Sequence, residues 1–93
     1  MLDLSLSGPR CGVYGIYIDD KLVYIGQSKD VWFRANAHRH CILCDQGSWY
    51  PLAREFHERG HNITLKMLKV VESKDLRSKE KEYITQLQPL FNY

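Results

Sequence analysis

The segment Gly12-Val13-Tyr14-Gly15-Ile16-Tyr17-Ile18, then Asp19-Asp20, then Lys21-Leu22-Val23-Tyr24-Ile25-Gly26, decides the fold. Its two arms are rich in β-branched and aromatic residues, which suit a pleated, half-buried surface, and the aspartate pair between them supplies turn chemistry. A β-hairpin follows. Downstream, Ser28 or Asp30 can cap a helix running from about residue 30 to the low forties. Ser48 ahead of Pro51 announces a second helix, and Gly60, which tolerates a left-handed conformation, closes it. Ile63, Leu65, Met67 and Val71 then stand at odd positions with Thr64 and Lys66 between them, the two-residue period of a half-buried strand. Ser73 opens a last helix that runs to about Gln88 and is stopped by Pro89. The order β-β-α-α-β-α predicts an α+β fold, a small three-stranded antiparallel sheet flanked by about three helices.

With 93 residues, 44% hydrophobic and 26% charged, the chain suffices for one domain and not for two, with residues 1–10 as an N-terminal extension. It has no internal repeat, low-complexity tract or linker. No run of some eighteen apolar residues exists for a membrane span, and Met1 to Pro9 lacks the basic start and apolar run of a signal peptide, so an intracellular (cytoplasmic) protein without a membrane partner is expected. Thirteen Lys+Arg against eleven Asp+Glu give a formal charge of +2, too weak to mark a nucleic-acid binder. The distribution is more telling: Lys21, Lys29, Arg34 and Arg39, with His38 and His40, stand against Asp30 alone in residues 21–40. Cys11, Cys41 and Cys44 are an odd number, which argues against a disulfide scaffold. Free thiols are the plain reading, and a zinc clip within His38-Arg39-His40-Cys41-Ile42-Leu43-Cys44 is the sharper one, without a second ligand pair to complete it.

Polar groups interrupt the apolar stripes of two helices. The inward face of the last helix reads Leu76, Glu80, Tyr83, Ile84, Leu87, although Lys79, Lys81 and Glu82 show that solvent positions were available. On the first helix the face reads Val31, Arg34, Ala35, His38, Ile42. An unpaired buried charge costs several kcal/mol, so these groups must be paired, solvated in a cleft or bound to a ligand. An Arg34–Glu80 salt bridge, or side chains snorkelling at the rim, is the structural alternative. A cleft holding Arg, His and Glu beside a tyrosine-rich hairpin suits phosphate chemistry instead: a guanidinium for a phosphoryl oxygen, a carboxylate for a hard divalent cation, a phenol or imidazole for protons.

These residues also carry a family resemblance. Gly12-Val13-Tyr14, Tyr24-Ile25-Gly26 ten residues after the first tyrosine, Arg34 ten residues further, His38 one turn on, Glu80-x-x-x-Ile84 and Asn92 in Pro89-Leu90-Phe91-Asn92 together resemble the GIY-YIG nuclease family over almost the whole chain. The resemblance implies an endonuclease that hydrolyses DNA phosphodiesters with one Mg2+ or Mn2+, with Glu80 as its only direct protein ligand. It implies that Arg34 binds a non-bridging oxygen, that Tyr24 or else His38 takes the proton of the attacking water, that Tyr14 orients the water or the phosphate, and that Asn92 holds the helix end or the hydrogen-bond network. Lys21, Lys29, Arg39 and His40 are then the candidate contacts to the DNA backbone.

Two points stay open at this level. A two-residue Asp19-Asp20 turn puts Tyr17, not Tyr14, on the face of Tyr24, whereas family spacing favours Tyr14. Gln27 stands where some relatives carry a lysine, leaving Lys29 as substitute, and Gly47-Ser48-Trp49-Tyr50 lacks a histidine common in homing-type members. Trp49 and Tyr50 suit base stacking or core packing equally. So small a module leaves little surface for reading a sequence, which implies low intrinsic specificity or specificity supplied by a homodimer or a DNA-targeting partner. The competing reading is a non-catalytic nucleic-acid-binding or protein-interaction module on the same scaffold, accessory or inhibitory in role. It does not account for keeping Tyr24, Arg34, His38 and Glu80 together. The resemblance is compatible with a phage, a mobile element or a repair system as the setting.

Overall fold

A computed structural model describes residues 2–4 and 10–91. The elements are β1 (Leu2–Asp3), β2 (Gly12–Ile18), β3 (Lys21–Ser28), α1 (Val31–Cys44), α2 (Tyr50–Glu58), β4 (Ile63–Val70), a short 3-10 turn (Ser73–Asp75) and α3 (Leu76–Leu87). The expected β-β-α-α-β-α order is present, with one strand more. The sheet is four-stranded and mixed, in the order β1-β4-β2-β3, rather than three-stranded and antiparallel. Leu2 and Asp3 pair in parallel with Ile63 and Thr64 at the edge of the sheet, and Leu4 is buried next to them. Two residues carry no alternation to read, so this strand has no sequence signature. No helix among the described residues is long and apolar enough to cross a membrane.

The hairpin resolves the tyrosine ambiguity through a bulge. Asp19 and Asp20 form a two-residue turn, both at positive φ (49° and 71°), the backbone sign that a type I′ hairpin requires. Asp19 offsets that strain by accepting the backbone N–H of Asn62 at 2.9 Å and pairing with His61. Next to the turn, Tyr17 faces Leu22. One residue further the register shifts, Ile16 faces Tyr24 and Tyr14 faces Gly26, so Val23 is the extra residue of a bulge. Cross-strand partners share a face, and Tyr14 and Tyr24 therefore lie on the same side although the turn has two residues. Tyr17 is turned to the opposite side, where Lys66 Nζ lies 5.1 Å from its ring centroid. The carbonyl of Val23 accepts the N–H of Phe91 at 2.7 Å, which docks the chain beyond α3 onto the hairpin.

Tyr14, Ile16, Ile18, Val31, Ala35, Ile42, Ala53, Ile63 and Leu65 form one buried cluster, so α1 and α2 cover the sheet face that carries Tyr14. Each such aliphatic side chain removed from water stabilises the fold by about 1.5–3 kcal/mol. The helix signals act as read: Asp30 caps α1 by accepting the N–H of Phe33 at 3.1 Å, Pro51 sits in the first turn of α2, and Gly60 has φ 93°. Arg54 ties the helices together by donating to Ile42 O (2.7 Å), Cys41 O (3.4 Å) and Asp45 O, which satisfies carbonyls at the end of α1. α3 packs along β3 and β2, with Leu76 buried and Glu80, Tyr83 and Ile84 half-buried. Leu87 departs from the expected stripe and is exposed.

Candidate active site

His38 is the hub of the site. Its Nε2 lies 2.6 Å from the Tyr14 hydroxyl and its Nδ1 lies 3.1 Å from the Tyr50 hydroxyl, so both ring nitrogens are engaged. The rings of Tyr14, Tyr24, Trp49 and Tyr50 surround it, with centroids 5.5 to 5.9 Å away. Trp49 stacks on Phe91 (5.3 Å, 17°) and lies 5.0 Å from Tyr24, which makes it part of the packing. Gly26 is required here: a Cβ at this position would overlap the Tyr14 ring and hydroxyl. The tyrosine sits over bare backbone, and that fixes the depth of its hydroxyl.

Burial separates the set into two layers. Tyr14 and His38 are 1% and 4% exposed, whereas Tyr24 and Glu80 are half-buried and Arg34 is exposed. The sequence stripe placed Arg34 inward. In the structure Val31, Ala35, His38 and Ile42 form the buried face of α1, and Arg34 stands at its edge with its long side chain free to remain solvated. Among the described residues neither Arg34 nor Glu80 belongs to an ion pair, so the stabilising Arg34–Glu80 bridge is not formed.

Electrostatics link the layers. Burial pushes the Tyr14 phenol far above its ordinary range, helped by Tyr24 and opposed by the Arg34 charge. Burial, then Glu80, raises Tyr24, again against Arg34. Burial raises the Glu80 carboxyl, with Arg77 opposing. His38 is pushed down to about 4, first by burial and then by Arg34, so it is neutral at pH 7. An unfolded histidine near 6.5 binds a proton that the folded one refuses, so this contribution is intact above pH 6.5 and is lost as pH falls towards 4. The loss is about 3 kcal/mol at 1.4 kcal/mol per pH unit. Unfolding midpoints should therefore fall between pH 7 and pH 4.5 more steeply for the wild type than for His38→Gln; parallel slopes would contradict a neutral buried His38.

The residues expected to track DNA are not one surface. Lys21 and Lys29 are exposed but flank opposite ends of β3, and Arg39 projects about 140° around α1 from Arg34. His40 is exposed and lies against Cys44, Nε2 to Sγ 3.3 Å. Asn92 lies outside the described residues. Among those described, no group of three or more His, Cys, Asp and Glu side chains is arranged to hold a metal, and the three cysteines are free. Sequence reasoning passed over the link from His38 to Tyr50, whose phenol is pushed up to about 12 by burial and by Cys41. The signal was an aromatic pair ahead of Pro51, which base stacking and packing explained equally.

The hairpin carries Tyr14 and Tyr24 on one face, α1 bears Arg34 and His38, and α3 bears Glu80. Comparison with solved structures shows that the fold is that of GIY-YIG nucleases. The chain is similar to a point mutant of bacteriophage T4 EndoII (TM-score 0.74, 20% identity, covering 96% of this chain and 78% of that one). It is similar also to the GIY-YIG N-terminal endonuclease domain of UvrC from Thermotoga maritima, a point mutant bound to its catalytic divalent cation (TM-score 0.67, 20% identity, 97% and 90% covered). No family model and no curated protein matches the sequence.

Proposed function

We propose that this domain is a divalent-metal-dependent DNA endonuclease, with Tyr24, Arg34 and Glu80 facing the scissile phosphate and Tyr14 and His38 supporting them from beneath. The observation that carries the reading is the half-buried Glu80 carboxylate without an ionic partner among the described residues, with an equally unpaired Arg34, both of whose charges act on Tyr24. A fold gains nothing from either, whereas a phosphodiester substrate uses both.

The donor set fits a hard cation. One carboxylate, with no thiolate or imidazole cluster around it among the described residues, suits Mg2+ or Mn2+, which keep most of their waters and draw other ligands from phosphate. Glu80 would hold it. When bound, such an ion polarises the phosphate, stabilises the departing 3′ oxygen and offsets the Glu80 charge that raises Tyr24. Arg34 binds a non-bridging oxygen and neutralises charge that develops during attack, and its exposed position lets it reach the substrate.

Tyr24 is the better placed of the two candidate bases. It is half-exposed, whereas His38 and Tyr14 are almost completely shielded from water, so the attacking water meets the Tyr24 oxygen first. Arg34 lowers the cost of negative charge on that phenol. Tyr14 and His38 hold the floor of the site in place. DNA is the substrate proposed, with specificity low or supplied by a second copy or a partner. Supercoiled plasmid should be nicked in magnesium or manganese and left intact in EDTA. Cleavage in EDTA would overturn the metal, and DNA binding without cleavage under any metal would favour the non-catalytic module.

A further inference from the structure

The Tyr14 hydroxyl is 1% exposed at the residue level, and among the described residues its hydrogen-bond partner is His38 Nε2 at 2.6 Å. A buried O–H hydrogen left unpaired costs more than an unused lone pair, so the hydroxyl donates to Nε2. Neutral imidazole carries one N–H, and with Nε2 accepting, that hydrogen stands on Nδ1. The Nδ1–H then needs an acceptor, and the Tyr50 oxygen lies 3.1 Å away. Tyr50 can accept it because its own hydrogen has somewhere else to go: the residue is only half-buried at the start of α2, so its O–H can turn towards solvent.

We propose that Tyr50 is a positioning residue, which holds His38 as the Nδ1–H tautomer and thereby turns the Tyr14 hydroxyl hydrogen inward, leaving the Tyr14 oxygen as an acceptor beside Tyr24. The chain of donors runs from Tyr14 to His38 to Tyr50. Its direction matters because a reversed chain would present a hydrogen, not a lone pair, on the Tyr14 oxygen, whose ring lies 6.4 Å from that of Tyr24. An acceptor in the floor beneath Tyr24 favours hydrogens that point inward from the site above it, and a donor there would oppose them. Tyr50 is itself held by α2, which Arg54 fastens to the end of α1. The tautomer rests on the two distances and a neutral ring, whereas its effect on turnover rests on the nuclease reading above.

The test uses Tyr50→Phe, which keeps the ring and its contacts with Trp49 and His38 and removes only the oxygen. Long-range 1H–15N spectra of the wild type should show His38 as the Nδ1–H tautomer, and the variant should lose that single form to a mixture. Turnover on DNA should fall about 10- to 100-fold, the usual loss when the partner that orients a site histidine is removed, with KM unchanged. A wild-type His38 in the Nε2–H form would overturn the proposal, and so would a variant with wild-type turnover. If the wild type cuts no DNA, the nuclease reading fails by itself and the wild-type tautomer still decides the assignment. If Tyr50→Phe does not fold, as judged by its far-ultraviolet spectrum, the same wild-type spectrum decides it.

Discussion

Glu80→Gln is expected to reduce plasmid cleavage about a thousandfold, equivalent to about 4 kcal/mol of transition-state stabilisation, which is the scale of a Lewis-acid contribution. The substitution should leave folding intact or slightly improved. Glu80 is half-buried, burial raises its pKa, and no ion pair among the described residues compensates its charge, so a neutral amide of the same shape removes a desolvation cost. Activity and stability thus move in opposite directions, as expected of a group kept for chemistry. A purely structural Glu80 predicts the reverse, with a lower melting point and cleavage reduced only as far as the fold is lost. Single-turnover nicking rates and thermal midpoints on the same preparations separate the two.

Arg34→Ala should lower the cleavage rate about a hundred- to a thousandfold, the range seen when one preorganised donor to a developing oxyanion is removed. Because Arg34 is exposed and its guanidinium closes no ion pair among the described residues, the melting point should hardly change. Arg34→Lys should recover part of the rate, since it keeps the charge but loses the planar fork that grips two oxygens. An independent signature accompanies the loss. Arg34 depresses the His38 imidazole and opposes the rise of the Tyr14 and Tyr24 phenols, so all three should titrate higher in the alanine variant. A rate loss below threefold would remove Arg34 from the site.

The sequence carried most of this because both kinds of signal were strong. The β-branched and aromatic arms of residues 12–26, the alternation in residues 63–67, the Asp30 cap and the Gly60 stop each reflect local backbone preferences, and each appears where expected. Glu80 was conspicuous as a carboxylate in an apolar stripe. What escaped depended on long-range contacts. Leu2–Asp3 becomes a strand only because the edge of β4 is available to pair with it. The Val23 bulge, which places Tyr14 beside Tyr24, is stabilised by Phe91 from the far end of the chain, and no local rule announces it. The basic residues of 21–40 are spread over two elements, Lys21 and Lys29 at opposite ends of a strand and Arg34 and Arg39 about 140° apart around a helix. Tyr50 suited base stacking and packing equally until the distance to His38 Nδ1 gave it a partner.

The most direct test of the whole account is a crystal of the domain with an uncleaved DNA duplex and Mn2+, with the ion located by anomalous scattering. One peak at the Glu80 carboxylate, with a phosphate between it and the Arg34 guanidinium and Tyr24 facing that phosphate, is the predicted result. An ion away from Glu80, or a DNA backbone that crosses the protein without approaching Arg34 and Tyr24, would contradict it.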